Sequence, residues 1–201
     1  MKLLIGTTNP GKWNEMASVL RGLPLQLLTP TDLNIFDDVE ETGTTYLQNA
    51  LIKAKHYNVK SGLPTLGEDS GIVVDALQDE LGVFTRRWGA GAKATDSEWL
   101  DFFMNRMLEF PNPDQRKARF ISHMCLIIDG KEEHFYGETE GVITDKIEAE
   151  LHAGVPLSSV FRPIGSDIVY SAMTDEQKNQ ISHRGKAIKQ VHDHLKNFYD
   201  L

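Results

Sequence analysis

The chain has 201 residues, of which 40% are hydrophobic and 25% are charged, which is typical of a globular protein of one domain or two closely packed lobes. Its formal net charge of −8 argues against a surface that coats DNA or RNA, although a small polyanionic ligand needs only a few local cations. No apolar run approaches the roughly 18 residues that a membrane-spanning helix requires, so neither nucleic acid nor a membrane is expected as a partner.

The first half of the chain alternates strand-like and helical segments. The apolar residues Trp13, Met16, Val19 and Leu20 recur at helical spacing, and Gly22 favours an end to that helix. The predicted elements are, in order, a strand at 2–6, a helix at 12–21, a strand at 25–28, a helix at 45–59, and two short strands at 64–66 and 72–74 around a turn at 67–71.

The second half combines a hairpin with further helices. Asp129-Gly130 predicts a tight turn between two strands. The predicted elements are a helix at 96–108, strands at 118–129 and 133–138, a short strand at 142–144, and helices at 175–180 and 185–199. Because the hairpin is antiparallel while strands and helices interleave elsewhere, the predicted fold class is α/β, with a mixed sheet and flanking helices.

The single cysteine bears on the compartment of the protein. Cys125 lies in an apolar stretch and has no second cysteine to pair with, so an intramolecular disulfide is excluded. A reducing cytoplasm is the simplest expectation, with Cys125 as a buried, inert thiol.

The first candidate site is the loop between the first strand and the first helix, Gly6-Thr7-Thr8-Asn9-Pro10-Gly11-Lys12. Backbone N–H groups and the helix dipole favour an anion there, and the side chains of Thr7, Asn9 and Lys12 are suited to grip phosphates. The segment matches part of a Walker A loop, but Trp13 stands where a Ser or Thr should hold Mg²⁺. A Walker-type ATPase is therefore disfavoured, and a turn with a solvated lysine is the alternative.

The second candidate site is formed by acidic segments. Glu41 lies in an acidic loop, and Glu68 and Asp69 follow a predicted strand. Carboxylate oxygens are preferred Mg²⁺ ligands, and a carboxylate also orients or deprotonates an attacking water. Asn49 and Lys53 share one face of a predicted helix, which lets Lys53 reach the phosphates of the same ligand. Acidic loops and helical lysines are usually just solvated, so both interpretations stay open here.

The third candidate site is the segment 178–185 before the last helix, which carries Lys178, His183 and Arg184. Arg and His side chains suit the recognition of phosphate or of a carbonyl group on a base. The alternative is a helix cap at Ser182 with exposed basic neighbours.

Taken in order, these motifs carry a family resemblance over nearly the whole chain. They are Thr7-x-Asn9-x-x-Lys12, Glu41-x-Gly43-x-Thr45, Asn49-Ala50-x-x-Lys53-Ala54, Glu68-Asp69-Ser70-Gly71 and Ser182-His183-Arg184-Gly185. Smaller matches are Gly82-Val83 followed by Arg87-Trp88, then Ala118-Arg119-Phe120 and Gly141-Val142-Ile143. The set resembles the inosine triphosphate pyrophosphatase family, housecleaning enzymes for non-standard purine nucleoside triphosphates.

The resemblance implies one domain over residues 1–201, with an elongated mixed sheet and two lobes around a central nucleotide cleft. It implies a homodimer that uses Mg²⁺ to hydrolyse ITP, dITP and XTP to the monophosphate and pyrophosphate. The implied catalytic residues are Lys12, Glu41 and Asp69, with Asp69 as the base for water. Glu41 and Asp69 would hold the metal, supported by Glu68.

The resemblance also implies how the nucleotide is recognised. The implied substrate-binding residues are Thr7, Thr8, Asn9, Lys12, Lys53, Ser70, Lys178, His183 and Arg184, the last two near the base. The 6-oxo group of hypoxanthine or xanthine accepts hydrogen bonds, whereas the 6-amino group of adenine would set donor against donor. Such a mismatch costs roughly 1–3 kcal/mol, enough to reject ATP by about tenfold or more.

One segment departs from the family pattern. Members usually carry a Gly-Phe-Gly-Tyr-Asp-Pro type segment before a Phe, and the aligned residues 154–161 here lack its aromatics and its aspartate. An aromatic–base stack is worth roughly 1–3 kcal/mol in nucleic-acid binders. We expect weaker base binding or broader selectivity unless Phe161 or Trp88 takes over.

Two other functions stay open. The first is a pyrophosphatase of the same type with altered base specificity, acting on another modified or pyrimidine nucleotide, which the changed segment Val155–Ser158 allows. The second is a nucleotide-binding protein without catalysis, which would be expected to lose a metal carboxylate first. Glu41 and Asp69 are both present, which favours an enzyme.

Overall fold

A computed structural model describes residues 1–37, 39–78, 80–84, 88–91 and 93–198. The motif residue Arg87 and the predicted helix end at Tyr199 lie outside these ranges. Across the described ranges, no helix combines the length and the apolar character needed to cross a membrane.

The described residues form one mixed sheet of six strands in the order β2-β1-β3-β4-β5-β6. The strands are β1 (Lys2–Gly6), β2 (Gln26–Leu28), β3 (Thr65–Val74), β4 (Lys117–Ile128), β5 (Lys131–Ile143) and β6 (Phe161–Pro163). Strand β1 pairs in parallel with β2 and β3, whereas β3, β4, β5 and β6 pair antiparallel in succession. The predicted mixed α/β fold is therefore confirmed.

Five α-helices flank the sheet in the described part of the chain. They are α1 (Pro10–Leu20), α2 (Tyr46–Ser61), α3 (Asp96–Met107), α4 (Asp175–Ile181) and α5 (His183–Phe198). Three of them start with a capping box, at Thr45, Thr95 and Thr174. Each threonine hydroxyl accepts the N–H of the residue three positions later, whose side chain accepts the threonine N–H in return. Ser182 caps α5 by accepting the N–H of Gly185 at 2.9 Å, so this helix begins two residues before the predicted start at 185.

The predicted turn at 67–71 is wrong. Residues Thr65–Val74 form one continuous strand, paired with β4 along its full length. Glycines and polar residues are typical of a turn, but here pairing with β4 runs through the whole stretch and β1 pairs as far as Gly67. The buried side chains of this stretch have partners elsewhere in the chain. The short strand predicted at 142–144 is likewise the end of β5, which runs to Ile143.

Helices cover both faces of the sheet, as alternation along β4 shows. Cys125 and Ile127 pack with Ala50 and Ala54 of α2. Their neighbour Leu126 packs instead in a second cluster, with the buried apolar face of α1 and α5. Successive strand residues point to opposite faces, so the same strand contributes to both layers. A third cluster contains the aromatic residues Trp99, Phe103, Phe120, Phe161 and Tyr170.

Candidate active site

The sequence-predicted residues converge on one cavity of about 520 Å³. Eleven of them line it: Thr7, Thr8, Asn9, Lys12, Glu41, Lys53, Asp69, Ser70, Lys178, His183 and Arg184. Glu68 lies beneath the wall, with its side chain fully buried. The cavity volume falls in the range of small-molecule sites.

Strand register explains why distant segments meet here. Gly6, the last residue of β1, pairs in parallel with Gly67 of β3, so the loop that begins at Thr7 lies beside Glu68 and Asp69. Because strand side chains alternate, Glu68 and Ser70 point to one face and Asp69 to the other. The two carboxylates therefore have different partners.

The loop after β1 presents the start of a helix to the cavity. Asn9 caps α1, since its Oδ1 accepts the Lys12 N–H at 3.0 Å, and Pro10 occupies the first helical position. Thr7 Oγ1 accepts the Asn9 N–H at 3.2 Å and orders the loop itself. A helix N-terminus with an adjacent lysine is suited to bind an anion.

Lys53 forms ion pairs with Glu41 and Asp69 on the α2 side of β3. Its Nζ lies 2.5 Å from Glu41 Oε1 and 2.9 Å from Asp69 Oδ1, and it donates to the Glu68 backbone oxygen at 3.0 Å. Burial lowers the pKa of Lys53, but Asp69, Glu41 and Glu68 outweigh it, and the pKa is raised above its ordinary value. Lys53 is therefore a fixed ammonium between two acids.

A glycine lets α2 approach closely enough for these contacts. A Cβ at Gly67 would lie 2.3 Å from the backbone oxygen of Ala50. On the same helix, Asn49 donates to Asp69 Oδ2 at 3.2 Å and accepts the Gly43 N–H at 2.8 Å. Asn49 thereby ties the loop that carries Glu41 to the strand that carries Asp69.

Glu68 organises cations on the other face of β3. Its Oε2 accepts from Lys12 Nζ at 2.9 Å, and its Oε1 accepts from Arg184 Nε and Ser122 Oγ, each at 3.1 Å. Burial raises the pKa of Glu68, but Lys12, Arg184 and Lys53 hold it well below its ordinary value. Glu68 is thus a buried, ionised carboxylate that orients Lys12 and Arg184.

The prediction that Glu68 supports the metal is wrong. Its side chain is fully buried and does not line the cavity. Glu41 and Asp69 do line the cavity. Among the described residues no three His, Cys, Asp or Glu side chains gather as a metal site. Mg²⁺ commonly uses one or two carboxylates with waters and substrate phosphates, so the pair Glu41 and Asp69 fits such an ion.

Glu15 is a site residue that the sequence reasoning missed. Its Oε1 lies 2.5 Å from Lys178 Nζ, and its Oε2 accepts from Arg184 Nη1. Burial raises the pKa of Glu15, but Arg184 and Lys178 lower it to about 2. The available signal was its position three residues after Lys12 in a predicted helix, which places both side chains on the same face.

His183 and Arg184 enter the cavity at the start of α5. Arg184 Nη2 donates to Ser70 Oγ at 2.9 Å. The His183 ring stacks on Phe120, with centroids 4.6 Å apart and an interplanar angle of 11°. Burial, assisted by Arg184, holds the pKa of His183 well below its ordinary value, so its imidazole is neutral. Within the described residues its buried Nδ1 has no hydrogen-bond partner.

The segment that departs from the family pattern also borders the cavity. Residues Val155, Pro156, Leu157 and Ser158 line it, and Pro156–Ser159 form a 3₁₀ turn. Ser158 Oγ accepts from Lys178 Nζ at 3.3 Å. Neither Phe161 nor Trp88 is among the lining residues. Neither residue therefore stands where a replacement stack would lie, and the expected weaker base binding or broader selectivity stays a prediction. The aromatic residues that do line the cavity include Trp99 and Phe120.

Comparisons with known proteins agree with this fold. The chain belongs to the Ham1 family, whose model matches residues 3–194. It is 35% identical to a dITP/XTP pyrophosphatase of Photorhabdus laumondii over 199 residues, with 98% of each chain covered. It is 36% identical over 201 residues to the dITP/XTP pyrophosphatase of Shigella flexneri, again with 98% of each covered. A HAM1 protein structure from Coxiella burnetii superposes with a TM-score of 0.83 at 30% identity, with 98% of this chain and 99% of that one covered. The family expected from the motifs is confirmed.

Proposed function

We propose that this chain is a nucleoside triphosphate pyrophosphatase that hydrolyses dITP, ITP and XTP to the monophosphate and pyrophosphate. One observation carries the proposal: Lys12, Lys53 and Arg184 meet Glu41 and Asp69 around a single cavity. The names of the relatives from Photorhabdus laumondii and Shigella flexneri support the same activity.

The triphosphate is held by the first loop and two lysines. The start of α1 supplies backbone N–H groups, and Thr7, Thr8 and Asn9 add polar side chains that line the cavity. Lys12 and Lys53 bring positive charge to the same cavity from opposite faces of β3, each already oriented by a buried carboxylate. Such prearranged cations neutralise phosphate charge without further reorganisation.

The reaction requires an in-line water and charge neutralisation rather than covalent help from the protein. Glu41 and Asp69 are the residues that would hold Mg²⁺, which when bound neutralises charge on the phosphate oxygens. Asp69 accepts the proton of the water that attacks the α-phosphorus. The bond between this phosphorus and the α–β bridging oxygen breaks, and pyrophosphate leaves.

Base recognition falls to the donors at the other end of the cavity. Lys178 and Arg184 are always donors there, and the buried His183 is neutral. A 6-oxo purine presents an acceptor to this donor-rich wall, whereas adenine presents an amino group. GTP shares the 6-oxo group, so its exclusion depends on a further contact with its 2-amino group.

One specific observation favours a second candidate, a pyrophosphatase of this type with altered base specificity. Aliphatic Val155 and Leu157 line the cavity where the family pattern has aromatic residues. Without an aromatic ring the wall forgoes a stack worth roughly 1–3 kcal/mol per base, so less of the binding energy depends on a large planar purine. Modified pyrimidine nucleotides are therefore the second substrate class to test.

The test is a substrate panel with product identification. Turnover of inosine, xanthosine, guanosine, uridine and thymidine triphosphates is measured with Mg²⁺, and pyrophosphate is distinguished from phosphate. Preferred release of pyrophosphate from the inosine and xanthosine forms supports the first proposal, and preference for a pyrimidine supports the second. No turnover of any triphosphate would mean a binding protein without catalysis. A homodimer in the cytoplasm stays a prediction, which sedimentation and cell fractionation would test.

A further inference from the structure

Gly154 is held at both of its backbone hydrogen-bonding groups by side chains from other parts of the fold. Its N–H donates to Asp96 Oδ2 at 2.6 Å, and its backbone oxygen accepts from Asn9 Nδ2 at 2.9 Å. Asp96 is the first residue of α3, and Asn9 is the cap of α1. Residues at the N-termini of two helices thus fix the backbone of one glycine.

Only a glycine fits at position 154. Gly154 has φ +80°, which disfavours L side chains, and an added Cβ would lie 2.4 Å from Asn9 Oδ1. One residue earlier, the backbone oxygen of Ala153 would lie 2.6 Å from a Cβ placed on Gly11. The loop before the 3₁₀ turn is therefore pressed directly against the phosphate-binding loop.

Asn9 makes the contact two-sided. Its Oδ1 accepts the Lys12 N–H at the start of α1, while its Nδ2 holds Gly154. Asp96 binds the other backbone group of Gly154, its N–H, and does not line the cavity. The next residues along the chain, Val155–Ser158, line the cavity, and the proposed function places the base against them.

We propose that Asp96 is a positioning residue for base selection: through the Gly154 N–H it sets where Val155–Ser158 lie against the base. The inference rests on the proposed function for its substrate, although the contact itself does not. Asp96 touches neither phosphate nor metal, so its loss acts on base binding and leaves phosphate binding intact. A charge-assisted hydrogen bond of this kind corresponds to roughly a tenfold change in affinity.

The test compares Asp96→Ala with Asp96→Asn, which keeps an acceptor oxygen, and with Asp101→Ala, an exposed acid on the same helix. Hydrogen–deuterium exchange of the peptide 150–158 includes the Gly154 N–H among its exchanging amides. Calorimetry measures binding of dIMP, which has the base without the triphosphate, and of tripolyphosphate, which has the phosphates without the base.

We expect Asp96→Ala to speed exchange in the peptide 150–158 and to weaken dIMP binding about tenfold, with tripolyphosphate binding unchanged. Asp101→Ala should behave like the wild type, and Asp96→Asn, which keeps the acceptor oxygen but loses the charge, should show a smaller loss than Asp96→Ala. With dITP, Asp96→Ala should raise KM with little change in kcat. Unchanged exchange, or equal losses for dIMP and tripolyphosphate, overturns the proposal. A wild type that releases no pyrophosphate overturns the proposed function instead, and the exchange and binding results still decide the role of Asp96.

Discussion

The ammonium of Lys53 lies between the carboxylates of Glu41 and Asp69, 2.5 Å from the first and 2.9 Å from the second. These acids come from a loop and from the middle of a strand, so the lysine neutralises a repulsion that the fold itself creates. The proposed function gives the same pair to a divalent ion, and Lys53 would then be the cation that balances the acids before the metal binds.

Replacing Lys53 by Met should destabilise the protein by about 3 kcal/mol, because it leaves the buried Asp69 and the partly exposed Glu41 without their shared cation. Mg²⁺ should then recover more stability in the variant than it adds to the wild type. Urea unfolding with and without Mg²⁺ measures both effects. Lys55→Met removes a half-exposed lysine from the same helix and serves as the control. Equal stabilisation of variant and wild type by Mg²⁺ would separate Lys53 from the metal site.

Changing Asp69 to Asn should lower turnover by about 10²- to 10⁴-fold, since the water loses the carboxylate that accepts its proton. The amide keeps the shape of the side chain, so the fold should survive, as circular dichroism would show. Asp75→Asn, an exposed change just beyond β3, should retain activity. Near-normal pyrophosphate release by the Asp69 variant would remove this residue from the mechanism.

Stability should depend on Glu15 in a defined pH window. Its pKa is about 2 in the folded protein against an ordinary value of 4.5, so the unfolded chain binds the proton more tightly. The stabilisation is therefore complete above about pH 4.5 and is lost as the pH falls towards 2. We expect Glu15→Gln to lower the free energy of unfolding by about 2–3 kcal/mol at pH 7 and by less at pH 3. A loss that stays constant between those pH values would contradict this electrostatic origin.

Base affinity should respond to an aromatic residue in the changed segment. Val155→Phe introduces a ring on the cavity wall, and a base stacked on it gains roughly 1–3 kcal/mol. We expect tighter binding of dIMP by about tenfold with unchanged binding of tripolyphosphate, both measured by calorimetry. Weaker dIMP binding in a folded variant would show that the wall has no space for a stack.

The chain order of elements and the mixed sheet were predictable because periodicity and caps are local signals. The continuous β3 was not, because the residues that make a buried Glu68 tolerable are remote: Lys12 is 56 positions away and Arg184 is 116. Read locally, the same acidic and glycine-rich stretch is typical of a turn.

Candidate residues were likewise predictable as a set, but their roles were only partly so. Glu15 carried a helical spacing signal that was not used, whereas Asp96 carried none, since its partner Gly154 is 58 positions away. The placement of Glu68 under Lys12 and Arg184 depends on which face of β3 it occupies, and that requires the sheet register.

That register has a consequence for how this protein can vary in length. Glu68 and Asp69 are neighbours that serve opposite layers, and β3 is held in phase by pairing with β4 from Thr65 to Val74. Inserting or deleting one residue inside β3 would exchange their faces. Glu68 would then point towards Lys53, and Asp69 would point towards Lys12 and Arg184. Length changes should therefore be tolerated in hairpin tips and surface loops, and never between Gly67 and Gly71.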